Sequence, residues 1–162
     1  MPNWCDNEVR IYCESEKILE EVKNFCKGEI ESEGEIRESP FCFGSIMPEP
    51  NYEETPVARA FPFIKAQFAK TDKERDTIMK NKPEVREGSW WDWRVQNWGT
   101  KWEAIELNYE EDGNEIQMNF LTAWSPPEGI YEALIDKFGN NIRISWFYRE
   151  DGNSLAGYLG QE

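Results

Sequence analysis

The chain contains no histidine. That removes the side chain that most often moves protons near neutral pH, the Ser-His and Cys-His nucleophile pairs, and the commonest zinc ligand. Its four cysteines, Cys5, Cys13, Cys26 and Cys42, form no CxxC pair and no zinc or iron–sulfur spacing. They read as small packing residues whose thiols stay reduced in a cytosol. No apolar run approaches the roughly 18 residues of a spanning helix, and the N-terminus lacks a charged-then-apolar signal pattern. Neither a GxxxxGK(S/T) loop nor a GxGxxG turn is present. Carboxylate chemistry stays open, since 32 acidic residues always supply candidates, but no spacing singles out a pair. The expectation is a cytoplasmic, non-enzymatic protein without metal or cofactor.

What the chain does have is acid and tryptophan. Its 162 residues suit a single domain, and a hydrophobic content of 39% supplies a core. The formal charge of −14 argues against a binder of long nucleic acid or of anionic membranes, which needs a basic face. Eight Trp in a chain of this length is more than packing usually asks for.

Periodicity places the elements. Val9, Ile11 and Cys13 alternate as a half-buried strand, and Ser15 caps a helix carrying Ile18, Leu19, Val22, Phe25 and Cys26 on one face. The Glu-rich run 29–38 reads as an exposed loop or edge hairpin. Phe41, Phe43 and Ser45 suggest a short strand ending at Met47-Pro48-Glu49-Pro50. Thr55-Pro56 and Thr71 with Glu74 have the form of two helix starts. Ile105, Leu107 and Tyr109, then Asp112-Gly113, then Ile116, Met118 and Phe120 predict a hairpin. Ser125-Pro126-Pro127-Glu128 starts a helix with Ile130, Leu134, Ile135 and Phe138 inward and Gly139 as its stop. Ile142, Ile144, Trp146 and Tyr148 form another strand, and Asp151-Gly152 turns into a short last one near 155–159. The prediction is an α+β, ferredoxin-like antiparallel sheet (βαββαβ) spanning 1–162 as one domain. A helical, Trp-rich insertion at about 51–102 follows the second strand.

Four segments then carry a resemblance. Met1-Pro2-Asn3-Trp4-Cys5-Asp6-Asn7, Trp98-Gly99-Thr100-Lys101-Trp102, Thr122-Ala123-Trp124-Ser125-Pro126-Pro127 and Tyr148-Arg149-Glu150-Asp151-Gly152 with Gly157 resemble the YubB-type ferredoxin-like family of small phage and plasmid proteins. The family pattern has Asp where this chain has Glu103 and an aromatic where it has Leu155. The resemblance implies a ferredoxin-like topology, not an iron–sulfur cluster, and no established activity. It places the protein in the cytoplasm of a bacterial host.

Charge is unevenly spread. Residues 1–58 sum to −9, residues 59–102 to +4 and residues 103–162 to −9. Trp90, Trp91, Trp93, Trp98 and Trp102 lie in the basic third. Indole beside Arg or Lys suits a planar anion, with rings stacking on bases and cations on phosphate. The candidate ligand-binding set is Asn3, Trp4, Asn7, Arg94, Asn97, Trp98, Thr100, Lys101 and Trp102, with Trp98 and Trp102 stacking, Arg94 and Lys101 on phosphate, and Asn7 and Asn97 orienting the ligand. Arg143 and Arg149 alternate outward on their strand, and Trp124 and Trp146 read as core. Trp90, Trp91 and Trp93 cannot all face one core, so at least one is exposed or at an interface.

The same residues admit a structural reading, in which Trp4, Trp98 and Trp102 glue the terminus and insertion to the sheet. Three functions follow. The first is a phage or plasmid inhibitor of host defence that sequesters a small anionic nucleotide signal. The second is an acidic DNA mimic or direct inhibitor of a host defence nuclease or effector protein, resting on the acidic outer thirds. The third is a carboxylate-dependent nucleotide hydrolase. An exposed edge strand or the Trp cluster offers a surface for a homo-oligomer, with no feature fixing the number of subunits.

Overall fold

The computed structural model describes residues 2–51, 71–73 and 89–160. The two helix starts expected at Thr55-Pro56 and Thr71–Glu74 lie outside it, apart from residues 71–73. So do most of the cations of the basic middle third.

β1 (Trp4–Cys13) obeys strict alternation: Cys5, Asn7, Val9, Ile11 and Cys13 point inward, and Asp6, Glu8, Arg10 and Tyr12 face water. α1 (Glu16–Cys26) starts on the Ser15 side chain, whose oxygen accepts from the Ile18 amide at 3.2 Å, and buries Leu19, Val22 and Cys26. The glutamate-rich run forms a hairpin of β2 (Gly28–Ser32) and β3 (Glu35–Ser39), turned at Glu33-Gly34 and separate from the main sheet. α2 (Phe43–Ile46) and α3 (Ser89–Asn97) precede the long hairpin of β4 (Ile105–Asp112) and β5 (Glu115–Ala123). α4 (Glu128–Phe138) buries Ile130, Leu134 and Phe138 and stops at Gly139, where φ is 53°. β6 (Ile142–Glu150) and β7 (Leu155–Tyr158) close the chain.

The main sheet has the order β4-β5-β1-β6-β7, antiparallel throughout. β1 separates β5 from β6, and β5 separates β1 from β4. The units β1-α1-β4 and β5-α4-β6 therefore interlock as split βαβ units, the ferredoxin-like arrangement, with β7 added at one edge. α1 and α4 cover one face, and the core between them gathers Val9, Ile11, Val22, Phe41, Phe43, Trp98, Phe120, Leu134 and Trp146. The opposite face is mixed, with Asp6, Glu8, Arg10 and Asn119 beside Tyr12, Leu121, Phe147 and Tyr158. Among the described residues no helix is long and apolar enough to cross a membrane.

Three local expectations change. The strand expected at Phe41–Ser45 is a helical turn, because Phe41, Cys42 and Phe43 are all buried, which strand alternation forbids. The strand that follows α1 in the main sheet is β4. Trp124, expected in the core, is 47% exposed at φ 69°, on the turn that leaves β5. Ser125 does not cap α4; Pro127 holds that position, and the serine hydroxyl serves elsewhere. The cysteines are free, buried thiols, and burial pushes Cys5 up to about 11 and Cys26 up to about 12.

A polar bridge crosses the centre of this core. The Trp146 indole N–H donates to Asn7 Oδ1 at 3.0 Å, and Asn7 Nδ2 donates to Thr122 Oγ1 at 2.9 Å. It ties β6, β1 and β5 together, with every partner under 3% exposed. Asn7→Ala orphans the indole donor and one hydroxyl contact, so denaturant unfolding should show a loss of about 2–4 kcal/mol. Asn119→Ala, on the open face, should stay within about 0.5 kcal/mol. Equal effects would show that the bridge contributes nothing.

Candidate functional site

Successive residues of a helix are turned about 100° apart, so Trp90, Trp91 and Trp93 of α3 cannot share one face. Trp93 turns inward and meets Trp98 edge-on at 6.1 Å, while Trp91 remains 50% exposed. The helix ends where the amides of Trp98 and Gly99 both bond to the Arg94 carbonyl, at 2.7 and 3.1 Å. Gly99 then takes φ +93°, and a Cβ there would lie 2.9 Å from the Glu128 amide nitrogen. Across from it a Cβ on Gly129 would overlap the Asn97 carbonyl oxygen, and the Gly129 amide donates to the Trp98 carbonyl at 3.1 Å. Two glycines thus let the Trp-rich segment press its backbone onto the start of α4.

The side chains finish the docking. Trp98 is 1% exposed, packs edge-on against Phe43 and donates its indole N–H to the Met47 carbonyl at 2.9 Å. Thr100 Oγ1 donates to the Ala123 carbonyl at 2.9 Å, and Ser125 Oγ to that of Gly99 at 2.5 Å. Thr122 Oγ1, already accepting from Asn7, donates to the Ser125 carbonyl at 2.7 Å. A continuous chain of bonds therefore runs from Trp146 through Asn7, Thr122 and Ser125 to Gly99. Asn7, Trp98 and Thr100, expected at a ligand site, are core residues with their polar atoms engaged.

The expected phosphate cations are engaged too. Arg94 forms a two-pronged pair with Glu49, at 2.5 and 3.0 Å, and its third nitrogen donates to the Lys101 carbonyl at 3.2 Å. Its guanidinium carbon lies 4.6 Å from the Trp98 ring centre and 5.0 Å from that of Trp90. Lys101 Nζ sits 4.2 Å from the Trp102 ring and 5.0 Å from that of Trp91. Trp4 meets Trp102 at 6.0 Å. Asn97 Nδ2 donates within α3 to the Trp93 carbonyl at 2.9 Å, and the Asn3 carbonyl accepts from the Trp124 amide at 2.8 Å. Away from this region, Arg143 and Arg149 face outward as expected, and Arg149 pairs with Asp6 at 3.5 Å and Asp151 at 3.2 Å. The nine candidates therefore divide. Trp4, Lys101 and Trp102 form a half-exposed cation–aromatic stack beside Trp91, while Asn7, Trp98 and Thr100 lie inside.

Beside that stack is a cavity of about 350 Å³. Its lining residues include Trp102, the almost wholly buried Trp98 and four carboxylates, Glu29, Glu31, Glu49 and Glu103, against one guanidinium, that of Arg94. Glu103 reaches the first amides of α2, accepting from Phe43 at 2.7 Å and Gly44 at 2.9 Å. Burial pushes its carboxyl above the ordinary range, while those amides and Arg94 oppose the shift. Among the described residues no group of three or more carboxylates or thiols is placed to hold a metal ion.

Sequence reasoning passed over Glu49, Glu103 and Gly129. Glu49 sits between two prolines with no motif around it. Gly129 stands in the first turn of a helix with no motif to mark it. Glu103 was visible only as a departure from a family pattern.

If Arg94 and Glu49 hold each other, a double-mutant cycle of Arg94→Ala and Glu49→Ala should give a coupling energy of about 1–2 kcal/mol in unfolding. Coupling below about 0.3 kcal/mol would mean that Arg94 is free to serve a ligand.

Residues 86–160 match the family described as a ferredoxin-like domain in Api92-like protein. The matched span is just under half of the chain and runs from before α3 through β7, leaving β1 and α1 outside it. No curated protein and no solved structure matches the chain. The finding is a ferredoxin-like domain similar to that of Api92-like proteins.

Proposed function

We propose that the protein is a non-catalytic accessory protein of a phage or plasmid that inhibits host defence in the bacterial cytoplasm by binding a basic surface of an effector protein. The observation that carries this reading is the charge around the cavity beside Trp102. A phosphate entering there meets Glu29, Glu31 and Glu103, and the nearest guanidinium is already bound to Glu49. A lysine or arginine side chain meets carboxylates and the half-exposed Trp102 instead. The exposed β2–β3 hairpin extends the same acidic surface through Glu33, Glu35 and Glu38. The YubB-type resemblance supports the phage or plasmid setting, and stoichiometric binding asks for no catalytic group.

Capture of a nucleotide signal is the second reading. It is favoured by the Lys101 ammonium between the Trp91 and Trp102 rings, a cation–aromatic pair at the surface.

Titration separates the two. With a panel of basic defence nucleases, binding should be strongest at low salt, weaken at least tenfold between about 50 and 500 mM salt, and fall further in Glu29→Lys/Glu31→Lys. Cyclic di- and trinucleotides and ADP-ribose-type signals should leave Trp fluorescence and Tm unchanged. Quenching by a nucleotide, lost in Lys101→Ala, would reverse the order of the readings. Turnover of any nucleotide would overturn both.

A further inference from the structure

On the open face of the main sheet, outward side chains lie in rows that cross the strands. One row runs from β4 to β7 through Asn108, Asn119, Glu8, Phe147 and Tyr158. The charges around it pair off, Arg149 with Asp6 and Asp151, and Arg10 with Glu115 at 4.0 Å. The row itself is left out. Among the described residues Glu8, Asn108 and Asn119 make no side-chain hydrogen bond or ion pair, although Arg10 stands two residues from Glu8 on the same face.

A cavity of about 330 Å³ opens over this row. Phe147 lines one side of it, and Tyr158 steadies that ring from β7, with the ring centres 5.2 Å apart. Glu8, Asn108 and Asn119 line the rest, with Leu121 beside them. β4 supplies a further carboxylate through a bulge, in which Glu106 and Leu107 together stand opposite Phe120. Leu107 packs on the core, while Glu106, at a left-handed φ of 54°, joins the cavity lining.

We propose that this cavity seats an arginine side chain of a partner protein, its guanidinium stacked on Phe147 and its N–H groups shared between Glu8 and the Asn108 and Asn119 carboxamide oxygens. Charge sets the sign of the occupant. Glu8 and Glu106 are uncompensated, and the one cation in the lining, Arg149, is engaged by two aspartates, so a phosphate or carboxylate meets like charge. Shape selects arginine over lysine. A guanidinium is flat, weakly hydrated and edged with N–H donors, so it can lie on a ring while a carboxylate and carboxamides take its rim. An ammonium is compact and strongly hydrated, and it gains less from the same ring. The site shares no lining residue with the cavity beside Trp102, so either can fail without the other.

NMR titration of the isotope-labelled full chain tests this, with a blocked Gly-Arg-Gly peptide as the probe. Up to about 20 mM peptide should give saturable shifts of the Glu8 and Phe147 backbone amides and of the Asn108 and Asn119 side-chain amides. Glu8→Gln should weaken binding at least about fivefold, and Phe147→Leu at least about threefold. The same peptide with lysine, or with uncharged citrulline, should bind at least about fivefold more weakly than with arginine. Free arginine, whose own carboxylate approaches Glu8 and Glu106, should bind no more tightly than the blocked peptide. The absence of saturable shifts overturns the proposal, as does arginine binding that survives Glu8→Gln. Citrulline or lysine peptides that bind equally well, tighter binding of free arginine, or shifts of this row by inorganic phosphate or GMP would overturn it too.

Discussion

The Trp98 indole is enclosed on every side that matters to the fold. Phe43 and Trp93 meet it edge-on, the Met47 carbonyl takes its N–H, and the Arg94 guanidinium lies against its face. This one side chain joins α2, α3 and the loop after α3 to the end of the sheet. Around it the backbone approaches α4 closely enough to require glycine at two positions, and hydroxyls of Thr100, Ser125 and Thr122 close the remaining gaps. The rest of the site depends on this attachment. The position of Arg94 fixes Glu49, and Lys101 and Trp102 follow from the turn at Gly99. Glu103 then arrives over the first amides of α2.

Such an attachment uses the same side chains that a nucleotide site would use. Indole faces, a guanidinium, an ammonium and an asparagine amide are suited to either role. Bonding already made favours the attachment. Arg94 is held by a carboxylate and a carbonyl, and Asn7 is closed off in the core, so little of the expected phosphate-binding chemistry faces outward. What faces outward at the cavity and along the β2–β3 hairpin is carboxylate. The net charge, which first argues only against long anionic partners, becomes a positive argument for a basic one.

Much of the fold was legible because its signals are local. The alternation in β1, the Ser15 cap, the Asp112-Gly113 hairpin and the Gly139 stop each depend on residues within a turn of one another. The Phe41–Ser45 segment reads as strand because Phe41, Phe43 and Ser45 alternate in the sequence, and nothing near them shows that Cys42 is buried as well or that the distant Glu103 holds the amides of α2. Trp124 was misread for a similar reason, its alternation with β5 being broken by a left-handed turn. The site was less legible than the fold. Sequence showed which residues were unusual, Trp98 through Trp102 among them, but not whether their polar atoms were occupied. Glu49, which occupies Arg94, is 45 residues away and has no pattern to mark it. The structural reading of Trp4, Trp98 and Trp102, set beside the ligand reading at the outset, is the one that the packing of Trp98 favours.

The central claim is that the Trp-Gly-Thr-Lys-Trp segment is a fastening of the fold. Denaturant unfolding of Trp98→Ala tests it most directly. A buried indole at the junction of three elements should take about 3–5 kcal/mol of stability with it when removed. A loss below about 1 kcal/mol, the behaviour of a displayed ligand-stacking ring, would contradict the account.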